Sequence, residues 1–256
     1  MITRTLLAFR WPALSLPALL LPALLLPVLW MALCWPSTTF GQDTSNEQSV
    51  KPGINDKFID PDLNVEEWLA RFEIESREVY SARARVLEVC DFKPGQRIAD
   101  IGAGTGFYSR LFADAVGETG WIYSVDIVPK FLEHINKQAR KDGITNLTCV
   151  LCTDRSTRLP PESVDGAFLC DTYHHFEFPP QTLASLYQAM KPGGKLVLID
   201  FERIEGQSSD FIMGHVRAGK ETFRTEIMQA GFEFAGEERV EGFEENYLLV
   251  FRKPTQ

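Results

Sequence analysis

Short apolar runs and segments of helical periodicity alternate along most of this chain. Residues 97–101, 121–126, 147–152, 164–170, 195–201, 232–240 and 246–251 read as strands, each bounded by glycine, proline or polar residues. Between them, residues 105–116, 129–141, 180–190 and 220–230 carry the helical repeat. Pro129 falls in the first turn of its segment, where its fixed φ suits a helix start, and Gly231 follows the end of the last one. Upstream, residues 64–73 predict a short helix capped by Asn64. Residues 76–91 predict a second, with Val79, Ala82, Val86 and Leu87 on one face, and Lys93-Pro94-Gly95 stops it. The β-α alternation, ending in a strand pair around Gly242, implies an α/β fold with a mostly parallel sheet covered on both faces.

The first 41 residues follow another pattern. Arg4 and Arg10 precede an uncharged run over residues 11–35, which contains Leu-Pro-Ala-Leu-Leu twice in tandem. Small residues then lead to Gly41. Basic, apolar, small is the order of a secretory signal, with cleavage expected after Gly41. The run is also long enough to serve as an uncleaved membrane anchor, since about 20 apolar residues span a bilayer. Either way the expected location is exported (periplasmic) or membrane-anchored, and the two arginines favour the N-terminus inside and the domain outside. Polar residues 42–56 read as a linker, which leaves 57–256 as the folded domain.

Formal net charge is -9, and residues 1–42 carry only two basic groups, so the remainder lies near -11. Such a chain repels polyphosphate, and no nucleic-acid partner is expected. Cys149 and Cys152 have C-x-x-C spacing, but along a strand they lie roughly 10 Å apart and face opposite ways. A disulfide needs Cα atoms within about 7 Å. No second C-x-x-C and no histidine pair at metal spacing accompanies them, so no metal site is expected.

The chemistry gathers at the strand ends. Asp100-Ile101-Gly102-Ala103-Gly104-Thr105-Gly106 takes a strand through a glycine turn into a helix. Glycines allow the backbone a close approach to a ligand, and the helix N-terminus offers free N–H groups to an anionic group such as a carboxylate. Phe107 stands where a dinucleotide loop has its third glycine. Asp126 closes the second strand, 22 residues after Gly104, where a carboxylate accepts hydrogen bonds from ribose hydroxyls. Asp154 follows the third strand, Asp171 the fourth, and Lys191 to Leu196 form a turn before the fifth.

With these residues in this order, the sequence resembles the class I S-adenosylmethionine-dependent methyltransferases, in the group sharing the small-molecule type 11/25 domain, over about residues 76–252. The resemblance implies a Rossmann-like three-layer sandwich, a seven-stranded sheet with its last strand antiparallel, and S-adenosyl-L-methionine as cofactor. It implies that the turn of Gly102, Ala103, Gly104, Thr105 and Gly106 cradles the methionine part of the cofactor, with Asp100 and Ile127 as further cofactor-binding candidates. Asp126 would hold the ribose, Asp154 with Arg155 would meet the adenine, and Asp171 would open the segment lining the methyl-transfer site. Tyr173 is a candidate to lie along the cofactor.

Methyl transfer asks mainly for positioning, and a neutral acceptor also needs a base. His174 and His175, in Asp171-Thr172-Tyr173-His174-His175-Phe176, are the candidate bases. His215 and Arg217, between the fifth strand and the last helix, are candidates to bind an anionic acceptor. The expected activity is methyl transfer to a small molecule. The rival readings are a non-catalytic S-adenosylmethionine-binding protein and a nicotinamide-dependent oxidoreductase.

Overall fold

The computed structural model describes residues 48–255; the proposed signal or anchor and its cleavage site lie outside the described residues. Among the described residues no helix is long and apolar enough to cross a membrane.

Seven strands form one sheet: β1 (Arg97–Ile101), β2 (Trp121–Asp126), β3 (Leu147–Leu151), β4 (Val164–Cys170), β5 (Met190–Phe201), β6 (Glu233–Glu238) and β7 (Asn246–Arg252). Their order is β3-β2-β1-β4-β5-β7-β6, and β7 runs antiparallel to both of its neighbours. After β1 the chain builds one side of the sheet through β2 and β3, then returns to lay β4 on the other side of β1. That reversal opens a crevice at the carboxyl ends of β1 and β4, the place where open α/β sheets bind ligands.

Alternation along the strands divides the core in two. Ala167 and Leu169 of β4, Leu196 and Leu198 of β5, and Leu249 and Phe251 of β7 face one layer; Phe168, Val197, Ile199, Leu248 and Val250 face the other. The first layer is covered by α6 (Pro179–Ala189) and α8 (Lys220–Gln229), through Leu183, Leu186, Phe223 and Ile227. The second is covered by α3 (Arg83–Cys90) and α4 (Phe107–Val116), through Val86, Tyr108, Phe112 and Val116. This is the expected three-layer sandwich. On the β2 side, α5 (Pro129–Asp142) buries Leu132 and Ile135 next to Ala103.

Some boundaries differ from the sequence reading. Asn64 does cap α1 (Val65–Phe72), its side chain accepting the Glu66 N–H. The single helix expected over 76–91 is instead α2 (Glu78–Ser81) and α3, with Ala82 at φ -85°, ψ 11° between them. The cause is Val79: its carbonyl, which a continuous helix pairs with the N–H of residue 83, accepts the buried Tyr108 hydroxyl. Glu78 fixes the same point from the other side, its carboxylate accepting the backbone N–H groups of Glu244, Glu245 and Asn246 at 2.9–3.1 Å. The helix expected from residue 105 starts at Phe107, because Gly106 is left-handed at φ 79°. The turn expected over 191–196 is part of β5, with Gly193 at φ 77° and a register shift against β4 between Val164 and Gly166.

Residues 49–55, the second half of the expected linker, are held against the domain. Val50 N–H donates to the Glu177 carbonyl at 2.9 Å, Ser49 Oγ to the Glu177 carboxylate at 2.6 Å, and Asn55 Nδ2 to the His175 carbonyl at 3.1 Å. Their polar composition serves to pair with the loop after β4.

Candidate active site

The crevice is lined by the ends of β1, β2 and β4 and roofed by aromatic side chains from the N-terminal elements and α5. Gly102, Gly104 and Gly106 take φ of 70°, 54° and 79°, so the turn after β1 depends on glycine throughout. A Cβ at Gly106 would meet Ile135 at 2.6 Å, whereas one at Gly104 would meet nothing nearer than Phe72 at 3.5 Å. Gly106 therefore serves packing, and Gly104 presents bare backbone to the cavity that it lines.

Asp126 is buried at the end of β2, one carboxylate oxygen accepting the Gly104 N–H and the other the Val128 N–H, each at 2.8 Å. Burial pushes its carboxyl up to about 6, against the pull of those backbone hydrogen bonds. Asp100, on β1, accepts the Ser109 hydroxyl at 2.6 Å, and burial pushes it to about 7. Asp171 has left-handed backbone at φ 49°, uncommon for a residue with a side chain and concentrated at functional sites. Its carboxylate is ion-paired with Arg77 and accepts Asn246 Nδ2 at 2.8 Å. Asp154 completes the acidic lining. Among the described residues, the cavity wall carries these four aspartates and a single cationic side chain, Arg77.

Phe58, Phe72 and Phe131 form the roof, Phe72 and Phe58 lying 6.3 and 6.4 Å from Phe131 between ring centroids. Arg77 lies over Phe72 at 5.1 Å. Phe58, Phe131 and the Arg77–Asp171 pair were not singled out in the sequence.

Of the sequence candidates, Asp100, Gly102, Ala103, Gly104, Thr105, Asp126, Ile127, Asp154, Asp171 and His175 line the cavity. Others lie elsewhere. Tyr173 is fully buried, donates its hydroxyl to Glu226 at 2.8 Å and packs on Phe223; it is a core residue rather than a cofactor contact. Arg217 makes a bidentate pair with Glu226, one bond 2.8 Å long, and lies over Phe223 and Tyr173, so its guanidinium is turned into the domain. Arg155 stacks on Phe178 at 3.4 Å. Cys149 and Cys152 are free and pack in different clusters, as the strand geometry required.

His174 and His175 lie in one 3-10 turn (Tyr173–His175) after β4, and their roles diverge. His174 is buried, with Nδ1 2.8 Å from Asp200 Oδ1 and its backbone N–H donating to Asp200 Oδ2 at 3.1 Å. His175 reaches the cavity, and its Nδ1 is buried without a hydrogen-bond partner. Burial, then the neighbouring His174 and His215, hold the His175 imidazolium down to about 2, so the ring is neutral. His215, at the end of α7 (Asp210–His215), closes the group: its ring centroid is 5.0 Å from those of both other histidines. Burial first, and His174 next, lower it to about 4.

A fit to the cofactor implied by the sequence follows from the lining. S-adenosylmethionine carries a sulfonium and an ammonium against one carboxylate, which four aspartates and one arginine complement. A dinucleotide's pyrophosphate meets the opposite situation in the same wall. Asp126 suits a ribose diol, because each of its oxygens keeps acceptor capacity beyond the one backbone bond it makes.

Comparison with known proteins agrees. The family model for a methyltransferase domain matches residues 99–198, from β1 into β5. The protein-L-isoaspartate O-methyltransferase of Pyrococcus horikoshii is 30% identical over 115 residues, 45% of this chain and 49% of that protein. The ubiquinone/menaquinone biosynthesis C-methyltransferase of Wigglesworthia glossinidia brevipalpis is 26% identical over 133 residues, 51% of this chain and 53% of that protein. The chain thus spans about half the length of the curated relatives it matches. A solved S-adenosylmethionine-dependent methyltransferase from Aquifex aeolicus superposes with a TM-score of 0.65 at 20% identity, covering 75% of this chain and 99% of that one, which establishes the shared fold.

Proposed function

Because its α/β domain belongs to the class I S-adenosylmethionine-dependent methyltransferases, we propose that this chain transfers a methyl group from that cofactor to a small-molecule acceptor bound against His175. The observation that carries this reading is the single cavity in which the Gly104 turn, Asp126 and Asp171 meet a neutral histidine.

The bound cofactor supplies an electrophilic methyl on a positively charged sulfur. The protein's contribution is placement. Gly104 lets that ligand lie on the backbone, and Asp126 fixes it through its hydroxyls. Asp171, locked by Arg77 and Asn246, holds the end of β4 rigid beside it. The aromatic roof excludes water, so the lining carboxylates act on the cationic ligand at low dielectric. His175, neutral and on the cavity wall, is the histidine that an incoming acceptor would meet. His174, held by Asp200 and outside the cavity lining, is a positioning residue for that turn.

Calorimetry with S-adenosylmethionine, S-adenosylhomocysteine and NADH tests the cofactor, with tight binding expected for the first two alone. Transfer of a labelled methyl group to a small-metabolite pool tests the reaction; label appearing only on protein or in no product overturns the small-molecule reading. The N-terminal pattern adds a proposal of its own, that the domain works outside the cytoplasm behind a signal or anchor at residues 11–35. Recovery of the product from the cytosol with Met1 intact would overturn it.

A further inference from the structure

The geometry points to a metal site: His174, His175 and His215 form a three-histidine centre for a divalent ion of the zinc class, joined to the cofactor cavity through His175, the one of the three that lines it. Each ring contributes one nitrogen to a set whose members all lie within 4.8 Å of one another. The ring centroids of His174 and His175 are 4.3 Å apart, and His215 stands 5.0 Å from each. Zn–N bonds of about 2.0–2.1 Å set tetrahedral ligand atoms about 3.4 Å apart. Rotation of His215, half-buried at the end of the short α7, supplies the remaining closure.

Three features separate this group from histidines that are merely packed. Asp200 takes Nδ1 of His174, which fixes the ring and leaves Nε2 as the ligand atom; a carboxylate behind a histidine is the usual outer support of a zinc ligand. The Asp200 carboxylate is itself held by the N–H groups of His174 and Phe201, at 3.1 and 2.8 Å. His175 Nδ1 is buried with no partner, a cost that coordination removes. The ring of His215 stacks on Phe211 at 5.1 Å and 20°, a face-to-face contact that leaves its edge nitrogens toward the other two rings free to turn in plane. The Lys51 ammonium is turned to the carbonyls of Gly214 and His215 at 2.9 and 2.6 Å.

Three imidazoles select Zn²⁺, Cu²⁺ or Ni²⁺ over the oxygen-seeking Mg²⁺ and Ca²⁺. Three protein ligands also leave a fourth position open, the arrangement of catalytic rather than structural zinc. An acceptor hydroxyl or thiol in that position ionises more readily, its proton passing to solvent. This last consequence rests on the methyl-transfer reading; the metal site does not.

The test uses the full chain without a histidine tag, stripped with a chelator and titrated with Zn²⁺ alone in a calorimeter, then with Co²⁺ read by visible absorption. One equivalent of Zn²⁺ and the intense absorption of tetrahedral Co²⁺ are expected. His215→Ala and, in case that variant misfolds, His215→Gln should each weaken Zn²⁺ by more than the roughly 10–100-fold expected of Asp200→Asn. S-adenosylhomocysteine affinity, measured on the same preparations, should not move. Absence of stoichiometric Zn²⁺ binding, or binding that survives loss of both His175 and His215, overturns the proposal. Loss of cofactor binding with Zn²⁺ intact would instead strike the proposed function.

Discussion

Asp200 and His174 meet at 2.8 Å with both side chains closed to solvent, so β5 and the turn after β4 are joined by a buried carboxylate–imidazole pair. Asp200 also accepts two backbone N–H groups, which spreads its charge over three donors. Asp200→Asn keeps one acceptor oxygen and loses the charge. We expect it to destabilise the domain by about 1–3 kcal/mol, the cost of an unsatisfied buried group, in a denaturant titration. A stability within about 0.5 kcal/mol of the parent would show that the pair is dispensable.

Asp126→Ala should weaken S-adenosylmethionine binding by about 1.5–3 kcal/mol, the range for hydrogen bonds to a charged group. It also frees the Gly104 N–H, so the turn after β1 loosens with it. Isothermal calorimetry decides the matter, and unchanged affinity would remove Asp126 from the site.

Gly104 and Gly106, two residues apart, should respond differently. Gly104→Val projects into the cavity and should abolish cofactor binding while the domain still folds, at a cost of about 1–2 kcal/mol for left-handed backbone. Gly106→Ala meets Ile135 at 2.6 Å and should lower the melting temperature more. A Gly104→Val variant that binds normally would show that the turn does not cradle the ligand.

The pH dependence of the ligand-free domain has a definite sign. Asp100 is raised by burial from an ordinary carboxyl to about 7, so the folded state binds its proton more tightly than the unfolded chain does. Its contribution is favourable below the unfolded value and is lost as pH rises from about 4 to 7. A tenfold difference in proton affinity is worth about 1.4 kcal/mol. Asp100→Asn should therefore flatten the stability profile between pH 5 and roughly 7 relative to the parent, as thermal melts would register. Identical slopes in the two proteins would contradict the assignment.

His175 gives a kinetic prediction. Since its ring is held neutral down to about 2, turnover should show no histidine step near pH 6.5, contrary to what an unperturbed imidazole base would give. His175→Gln should lower kcat, by up to roughly 10²-fold, with the Kd for cofactor unchanged. A rate that rises through pH 6.5 in the parent and not in the variant would restore a titrating base.

Legibility in the sequence followed the range of each interaction. The strands, the glycine turn and Asp126 are local signals, because period-two alternation and a turn within a few residues need no distant partner. His215 was placed near an acceptor, yet its meeting with His174 and His175 depends on how α7 packs 40 residues downstream, and no spacing rule for metal ligands reaches that far. Arg217 and Tyr173 were misplaced for the same reason: both answer to Glu226, whose position is set by α8. Residues 49–55 have linker composition, and only their partners on Glu177 and His175 distinguish a packed segment from a free one.

The Glu78 carboxylate, gathering three consecutive N–H groups ahead of β7, gives the site a remote readout. Asn246, the last of the three, also holds Asp171 in the cavity wall, and Arg77, next to Glu78, holds it from the other side. Any ligand that stiffens Asp171 thereby tightens a clasp between the sheet's far strands and the N-terminal helices. The amides of residues 244–246 should then exchange with deuterium more slowly when the cavity is filled, although none of them lines it.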